Sequence, residues 1–487
     1  MKTTVPFSWV SAALVTLLTM HCGRRQEQAV KPAELVNQVM SIAQLRALTS
    51  PAMPTRVYIT DHKKNGIFLL DPNDNRSSDN LGLILVTAGG QRYKRAFTGS
   101  ASAAWFGMDE SDDDIGPELQ AAVDAADDVM VPDGHYTQLT RVNLRSHLKL
   151  RANPGRALIS LPKEYVSLGN GDPAVPLVNV LIDGLAWQAV SDQEDKLGEG
   201  RIHIDGPSVD NLTVQNCSST DRTARATTNW FFLKVQSGKT ANNITVRNNS
   251  AQAKRMGCEI INHDNFSLYS GRNIVITDNY FRSCQFGISL SGTLENLLVD
   301  NNHLKDCSLY GIEIAGAARK ARITNNRFEG IFGKIFAGSN DGGGNGTVIG
   351  GMDVSYNLTL GLCQGGIQLF NGGTISFSNN VLTMTGFLEV GHATAGGRFT
   401  DNIIESQSDK AVVCDNSPNN VFIRNIISNK NNPQHHTTIL VYGSKAKNNH
   451  FANNTLIKGE GGFYIDALLG GTYTASMNFD ENGNLIR

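Results

Sequence analysis

The chain has 487 residues, with 43 Lys and Arg against 45 Asp and Glu, so its formal net charge at pH 7 is −2. This balance lacks the basic surplus that attracts a phosphate backbone, which argues against nucleic acid as a partner. Charged residues make up 18% of the chain and 48 residues are glycine, a composition that favours a strand-rich, turn-rich protein over a helical one.

The N-terminus has the pattern of an export signal. Lys2 precedes an apolar stretch at 10–20, and the chain turns polar from residue 23 onward. The apolar stretch is too short for a membrane span. Cys22 lies where a bacterial lipoprotein carries its lipidated cysteine, although His21 departs from the small residue usual before it. We therefore predict an export signal over 1–22, with lipidation of Cys22 or plain cleavage as alternatives.

A polar tether is predicted over 23–39, because the segment after the signal lacks an apolar pattern. The expected location is periplasmic, extracellular, or anchored to the outer membrane. Any membrane association is expected through the lipid on Cys22 alone.

Two elements are predicted before the main body of the chain. Residues 40–104 are predicted to form a small β-rich module, which a family resemblance implies. Residues 118–126 form an apolar stripe at helical spacing, after the acidic run Asp112–Asp114 and Pro117. The helix is expected to form the N-terminal cap of the domain that we place at 105–487, covering its open end.

A repeated phrase dominates the second half of the chain. Each copy has a short alternating strand, a turn that carries Asn, and a second short apolar strand, often followed by a third strand that opens on Gly. Coils of this kind bury their apolar faces only by stacking. The repeat predicts an all-β fold, a single-stranded right-handed parallel β-helix, over roughly 205–470. The clearest copies are 273–281, 296–304, 321–328 and 375–382.

The cysteines of these coils are predicted to be small core residues. They lie in separate coils, mostly at apolar positions, and no spacing typical of a zinc site occurs among them. A disulfide framework is the less favoured alternative.

The entry to the repeat contains four characteristic segments, at 105–107, 112–114, 119–125 and 131–136. Together they resemble the entry segment of the pectate-lyase superfamily, a segment shared with glycosidase-28-related proteins and phage tailspikes. Upstream, 41–48, 57–60, 66–71 and 97–99 resemble the small β-module that precedes this segment in some of those proteins. One departure is Met108–Ser111, where the family usually has a glycine-rich run.

This resemblance implies a pectin-lyase-like fold and action on polysaccharides, but it does not fix a reaction. Polygalacturonases carry Asn-Thr-Asp, Asp-Asp and Gly-His-Gly signatures. Here Gly391-His392 echoes one of them and Ala393 breaks it. The pectate-lyase aspartate–histidine signature and the alginate-epimerase Asp-Pro-His-Glu motif are both absent. The catalytic subfamily therefore stays open.

Strand alternation predicts a row of outward side chains on the third strand of each coil. His263 and Asp264 extend the strand of Glu259, and His392 lies near the later strands. Any single charged residue at such a position is by default simply solvated, but the mixture on one face favours a glycan groove. The predicted row is Lys234, Glu259, Ser289, Glu313, Gln368 and Glu389, with Phe232 and Phe370 on the same face.

Two reactions fit this row. In hydrolysis, which requires no cofactor, Glu259 and Glu313 form the carboxylate pair. They are expected two rungs apart, roughly 9.6 Å between backbones at about 4.8 Å per rung, which suits inversion. In β-elimination from a uronic acid, Lys234 or His263 is the base. Glu259 and Asp264 then hold Ca²⁺.

The leading hypothesis is an exported enzyme that hydrolyses a polysaccharide. Its predicted substrate-binding residues are Phe232, Gln368, Phe370, Glu389 and His392. The alternatives are a polysaccharide lyase, a non-catalytic glycan-binding surface protein and, less favoured, a sugar epimerase. The sequence carries no signature that separates them.

Overall fold

The computed structural model describes residues 38–49, 53–162, 166–189, 200–221, 228–252, 254–262, 271–339, 350–370, 372–391, 394–431 and 437–486. They form a small sheet module followed by a long parallel solenoid. Within these ranges, no helix has the length and apolar character that a membrane crossing needs.

The N-terminal module is a five-stranded sheet with its own core, as the sequence predicts. A short helix, Ile42–Arg46, begins with a capping box in which Ser41 and Gln44 bond each other's backbone. Arg95 joins the module to the solenoid, because its guanidinium lies 4.3 Å from the ring centroid of Trp105. The strands of the module are Gln38–Met40, Arg56–Ile59, Gly66–Asp71, Ile84–Val86 and Arg92–Arg95.

The entry to the solenoid contains a strand, a 3-10 helix (Ala103–Phe106) and an α-helix (Gly116–Ala125). Strand Ala101–Ser102 lies inside the range predicted for the module, yet it pairs with strand Asp128–Val131 of the solenoid. The α-helix buries Leu119, Ala122 and Val123 in the main core. Because its apolar stripe packs against the first coils, it covers this end of the solenoid.

The solenoid has three strand columns, here called faces 1, 2 and 3, all paired in parallel from coil to coil. Face 3 forms a sheet of 13 strands, one per coil. The chain runs from face 2 through a tight turn to face 3, then to face 1 and back to face 2. Strands Phe286–Asp300 and Tyr310–Thr324 bend from face 1 into face 2 without a break.

Face 1 comprises Val142–Leu144, Leu168–Asn170, Gly200–Gly206, Asn229–Val235, Met256–Asn262, Phe286–Asp300, Tyr310–Thr324, Lys334–Ser339, Gly366–Phe370, Leu388–Gly391, Val412–Asp415, Ile439–Tyr442 and Ile465–Leu468. Face 2 comprises Ala101–Ser102, Asp128–Val131, Lys149–Ala152, Leu177–Asp183, Val209–Gln215, Ala241–Arg247, Gly271–Thr277, the ends of the two long strands, Gly350–Ser355, Ile375–Ser378, Arg398–Thr400, Val421–Ile423, Asn449–Ala452 and Tyr473–Ser476. Face 3 comprises Gly134–Thr137, Ala157–Leu161, Ala186–Ala189, Ser218–Thr220, Ser250–Gln252, Tyr280–Arg282, His303–Lys305, Arg327–Glu329, Leu358–Thr359, Val381–Met384, Ile403–Ser406, Ile426–Ser428 and Thr455–Ile457.

Like residues stack inside the solenoid. Phe399 and Phe422 lie parallel with ring centroids 4.3 Å apart, and Phe377 and Phe451 continue the column on either side. The six cysteines in the described coils are buried and free, as predicted. The solenoid is therefore held by continuous apolar columns and not by disulfides.

An asparagine ladder closes the corner between faces 2 and 3. The Asn302 amide accepts from the backbone and side chain of Asn279 at 3.1 and 2.9 Å, and donates to Asn326 Oδ1 at 3.0 Å. The ladder members are Asn249, Asn279, Asn302, Asn326, Asn357, Asn380, Asn402, Asn425, Asn454 and Asn478.

The ladder and the left-handed backbone of this turn belong to two different residues. The residue before each ladder member has the positive φ, as at Asn248 (52°) and Asp278 (58°). The ladder residue itself is absent from the positive-φ set. A left-handed residue turns the chain so that the next side chain points into the interior.

Candidate functional site

One outward row on face 1 brings together most of the predicted residues. Strand register pairs Phe232 with Glu259, Glu259 with Ser289, and Ser289 with Glu313. Further along the solenoid, Gln368 pairs with Glu389. The row therefore runs in register as His203, Phe232, Glu259, Ser289, Glu313, Ala337, Gln368 and Glu389.

Lys234 lies outside this row, contrary to the prediction from strand alternation. It pairs with Ile261, two residues beyond Glu259, and so belongs to a second outward row of face 1. Its ammonium lies 3.9 Å from a carboxylate oxygen of Asp205. Each strand of this face offers two outward positions, and alternation alone does not say which positions of successive coils align.

Glu259 lies deep in the face and is held by two donors. The residue is 4% exposed, and its Oε2 accepts from the buried amide of Asn229 and from Arg255 Nη1 at 3.3 Å. Burial raises the pKa of Glu259, and the charge of Glu313 adds to this rise. Arg255 and Asn229 oppose the rise in pKa without cancelling it. Glu259 is therefore a carboxyl group that keeps its proton to a higher pH than an exposed glutamate.

Glu313 lies two rungs away, with Ser289 between the two carboxyl groups. Ser289 donates from Oγ to Glu313 Oε2 at 2.7 Å, and Glu313 is half-buried. At about 4.8 Å per rung the two glutamate backbones are roughly 9.6 Å apart. The face thus holds two carboxyl groups in unequal environments, at a separation that leaves room for a water or a sugar ring between them.

The two aromatic residues predicted to bind substrate, Phe232 and Phe370, expose little surface. Phe232 is 7% exposed, and the imidazole of His203 lies over it with ring centroids 4.5 Å apart and 14° between planes. Phe370 is 8% exposed and belongs to the second row, because it pairs with Gly391. Both rings hold neighbouring strands together and leave their faces largely covered.

An aromatic and basic edge, formed by Phe286, Tyr310, Lys334, Phe387 and Lys410, borders the row on the side of face 3. Phe286 and Tyr310 pair in register and stack with ring centroids 5.0 Å apart. Lys334 pairs with Tyr310, and its ammonium lies 6.0 Å from the ring of Phe387. Lys410 approaches the same ring at 5.7 Å. All five side chains are half-buried, so each keeps part of its surface for a ligand.

The longer connections of the chain each link a face 1 strand to a strand of a neighbouring face. The corner from face 2 to face 3 is crossed by two residues in twelve of the thirteen coils, as between Gly271–Thr277 and Tyr280–Arg282, and by four residues in the coil with 153–156. By contrast, residues 190–199, 222–227 and 432–436 connect face 3 to face 1, and 263–270 and 340–349 connect face 1 to face 2. Insertions in a repeat protein collect beside its working face, which favours face 1.

Several predicted residues lie outside the described ranges, namely His263, Asp264, His392 and Cys22. Within the described ranges, no group of three or more His, Cys, Asp or Glu side chains lies close enough to hold a metal ion. The calcium site at Glu259 and Asp264 and the lipidation of Cys22 stay predictions.

Sequence reasoning missed three members of the site, Asn229, Arg255 and His203. Asn229 opens its strand three residues before Phe232, and Arg255 precedes the strand of Glu259. Their sequence signal is a polar residue just before or at the start of an apolar strand. That signal resembles an ordinary turn. Only the hydrogen bonds of the folded chain show that Asn229 and Arg255 both reach Glu259. Burial lowers the pKa of His203, which therefore favours the neutral imidazole.

Two family models match parts of the chain. Residues 38–98 match one described as the phage tail protein small four-stranded beta-sheet domain. Residues 195–328 match one described as the right handed beta helix region.

Solved structures with similar coils include a tailspike of Acinetobacter baumannii phage AM24, at 17% identity and TM-score 0.46 over 79% of this chain. The chain spans 64% of the length of that tailspike. The Streptococcus pneumoniae adhesin PfbA matches at 12% identity and TM-score 0.48, with 80% of this chain and 99% of the adhesin covered. The A-module of the Azotobacter vinelandii mannuronan C-5 epimerase AlgE4 matches at 14% identity and TM-score 0.47, with 78% and 95% covered.

The stacked parallel coils and the matched segments agree with the fold that the repeat predicts. The chain is a right-handed parallel β-helix protein with a small β-sheet module ahead of its solenoid.

Proposed function

We propose that the chain is a polysaccharide-processing enzyme that hydrolyses glycosidic bonds on face 1. The observation that carries the proposal is the Glu259–Ser289–Glu313 arrangement, two carboxyl groups on one outward row in unequal environments. Glycoside hydrolysis uses one carboxyl group as a proton donor and a second as a base or nucleophile. The raised pKa of Glu259 suits the donor, and Glu313 is then the second carboxylate.

The separation of the two glutamates favours inversion of the anomeric centre. Inverting enzymes hold their carboxyl groups about 6.5 to 9.5 Å apart, whereas retaining enzymes hold them at about 5 to 5.5 Å. A spacing of two rungs puts the two backbones roughly 9.6 Å apart, just above the first range, and side-chain reach adjusts the gap between the carboxyl groups. In this scheme Glu313 activates a water on one side of the sugar while Glu259 protonates the leaving oxygen on the other.

The aromatic and basic edge supplies binding surface next to the two carboxyl groups. The stacked rings of Phe286 and Tyr310 offer apolar area to the flat face of a sugar. Lys334 and Lys410 offer donors for hydroxyl or carboxylate groups of a glycan. The module at 38–98 matches a phage tail domain, which supports action at a cell surface.

Replacement of either glutamate tests the proposal. A panel of soluble glycans should yield new reducing ends with the wild-type protein, without the absorbance of unsaturated uronates. Glu259→Gln and Glu313→Gln should each lower the rate by roughly 100- to 10,000-fold, the usual effect of losing a general acid or base. Glu405→Gln is the matched control, because Glu405 is exposed on face 3.

A non-catalytic glycan binder is the second candidate, and one observation favours it. Glu259 is 4% exposed and already bonded to Asn229 and Arg255, as a purely structural carboxylate would be. This candidate predicts that glycans are retained without shortening, and that the two glutamine variants retain them equally well.

A further inference from the structure

A buried ionic cluster lies behind Glu259, at the corner between faces 3 and 1. It consists of Arg201, Asp221 and Lys254, whose side chains are 1%, 6% and 0% exposed. Arg201 Nη2 donates to Asp221 Oδ1 at 3.1 Å, and the ammonium of Lys254 donates to Asp221 Oδ2. The three residues come from three successive coils, so the cluster ties these coils together.

This cluster contains more charged groups than the packing of the coils requires. Two cations share one carboxylate, although burying charge is costly even when it is paired. One coil further on, the position of Lys254 is taken by Cys284, which fills the same column as an apolar residue. Since an apolar residue satisfies the fold at this position, the charges call for another explanation.

Lys254 is followed directly by Arg255, and the two side chains point in opposite directions. Lys254 points inward to Asp221, whereas Arg255 points outward to Glu259 Oε2. The backbone between them is fixed, because the Arg255 amide donates to Thr228 at 2.8 Å and the Lys254 carbonyl accepts from Gln285 at 3.1 Å. The contact of Lys254 with Asp221 and the contact of Arg255 with Glu259 are therefore made by adjacent residues on one rigid stretch of chain.

We propose that Arg201, Asp221 and Lys254 act as positioning residues, which anchor the chain so that Arg255 holds the carboxyl group of Glu259. The importance of this role for catalysis rests on the proposed function, in which Glu259 is the proton donor. The anchoring itself is proposed to affect the protonation of Glu259, so it can be tested without a substrate.

The test is a ¹³C titration of Glu259 in protein labelled at glutamate Cδ, with Glu259→Gln to assign the signal. Arg255→Met should raise the pKa of Glu259 by about 1 pH unit, because it removes a nearby opposite charge. Lys254→Met should shift the pKa in the same direction by a measurable part of that amount. This variant leaves Arg201 and Asp221 as a balanced pair, so the fold should tolerate it.

Two further variants separate positioning from packing. Cys307→Ala loosens the same buried column without touching a charge, and it should leave the Glu259 titration unchanged. Lys254→Arg keeps a cation beside Asp221 and should restore the wild-type value. If Lys254→Met does not fold, Arg201→Met replaces it, since it leaves Lys254 and Asp221 as the balanced pair.

The proposal is overturned if Lys254→Met and wild type titrate alike, or if Cys307→Ala shifts Glu259 as much as Lys254→Met does. It is also overturned if Arg255→Met has no effect, because Arg255 then does not hold Glu259 in solution. Failure of the proposed function would instead appear as absent glycan cleavage with these titration shifts intact.

Discussion

At the residue scale, Glu259 and Glu313 differ in their burial and in the donors that hold their carboxyl groups. Glu259 is enclosed and receives two donors, whereas Glu313 is half-buried and receives the hydroxyl of Ser289. Removing a partner from a buried carboxyl group costs more than removing one at the surface, because water cannot replace it. Substitution of Asn229 or Arg255 should therefore disturb the site more than substitution of an exposed residue at its edge.

Lys254 gives the fold a measurable dependence on pH. Burial lowers the pKa of Lys254 to about 7, against about 10.4 in an unfolded chain. Between these pH values the unfolded chain binds more protons, so this residue makes the free energy of unfolding increase as the pH rises. The thermal midpoint of wild type relative to Lys254→Met should rise from pH 7 to pH 9. An equal difference at every pH in that range would contradict the assignment.

Alternation of apolar and polar residues predicted one row for Glu259, Glu313, Gln368 and Glu389, and the strand register aligns these four residues. It misplaced Lys234 by two residues, because a strand with two outward positions satisfies either alignment. The buried charges were beyond prediction. Lys254 and Arg255 are adjacent cations in the sequence, and only the packed coils show that the first of them turns inward.

At the scale of single elements, the turn between faces 2 and 3 separates backbone conformation from side-chain bonding. Ladder residues such as Asn302 are buried and satisfy backbone groups of the preceding coil, while their predecessors adopt the left-handed conformation. The repeat predicted a turn that carries Asn, but it did not show which of the two turn residues adopts the left-handed backbone.

Breaking one rung of the ladder should destabilise the solenoid. Asn302→Ala leaves the amide of Asn279 without its acceptor and the carbonyl of Ile276 without its donor. The expected loss in free energy of unfolding is about 2–4 kcal/mol, since both groups are buried. Urea unfolding followed by tryptophan fluorescence measures it.

Asn301→Gly is the control for this experiment. Asn301 has φ 52°, which glycine adopts without strain, and its side chain is exposed. This variant should stay within about 1 kcal/mol of wild type. Equal losses in the two variants would mean that the ladder adds nothing beyond the turn itself.

At the scale of the whole molecule, the coil repeat made the fold predictable, because stacking is the one way in which such coils bury their apolar residues. The repeat could not predict which individual residues form the candidate site. The reaction is not encoded by the fold at all, since one scaffold hosts many chemistries. Face 1 is distinguished by its longer connections, its two carboxyl groups and its aromatic and basic edge.

The most direct test of the account is a crystal structure of Glu259→Gln with a bound oligosaccharide. The variant should retain a glycan that the wild-type protein cleaves, because it keeps the shape of the site and loses the proton donor. The account predicts the saccharide on face 1, between the substituted position 259 and Glu313, with a sugar ring against Phe286 or Tyr310. A saccharide bound on face 2, on face 3 or at the C-terminal end of the solenoid would contradict it.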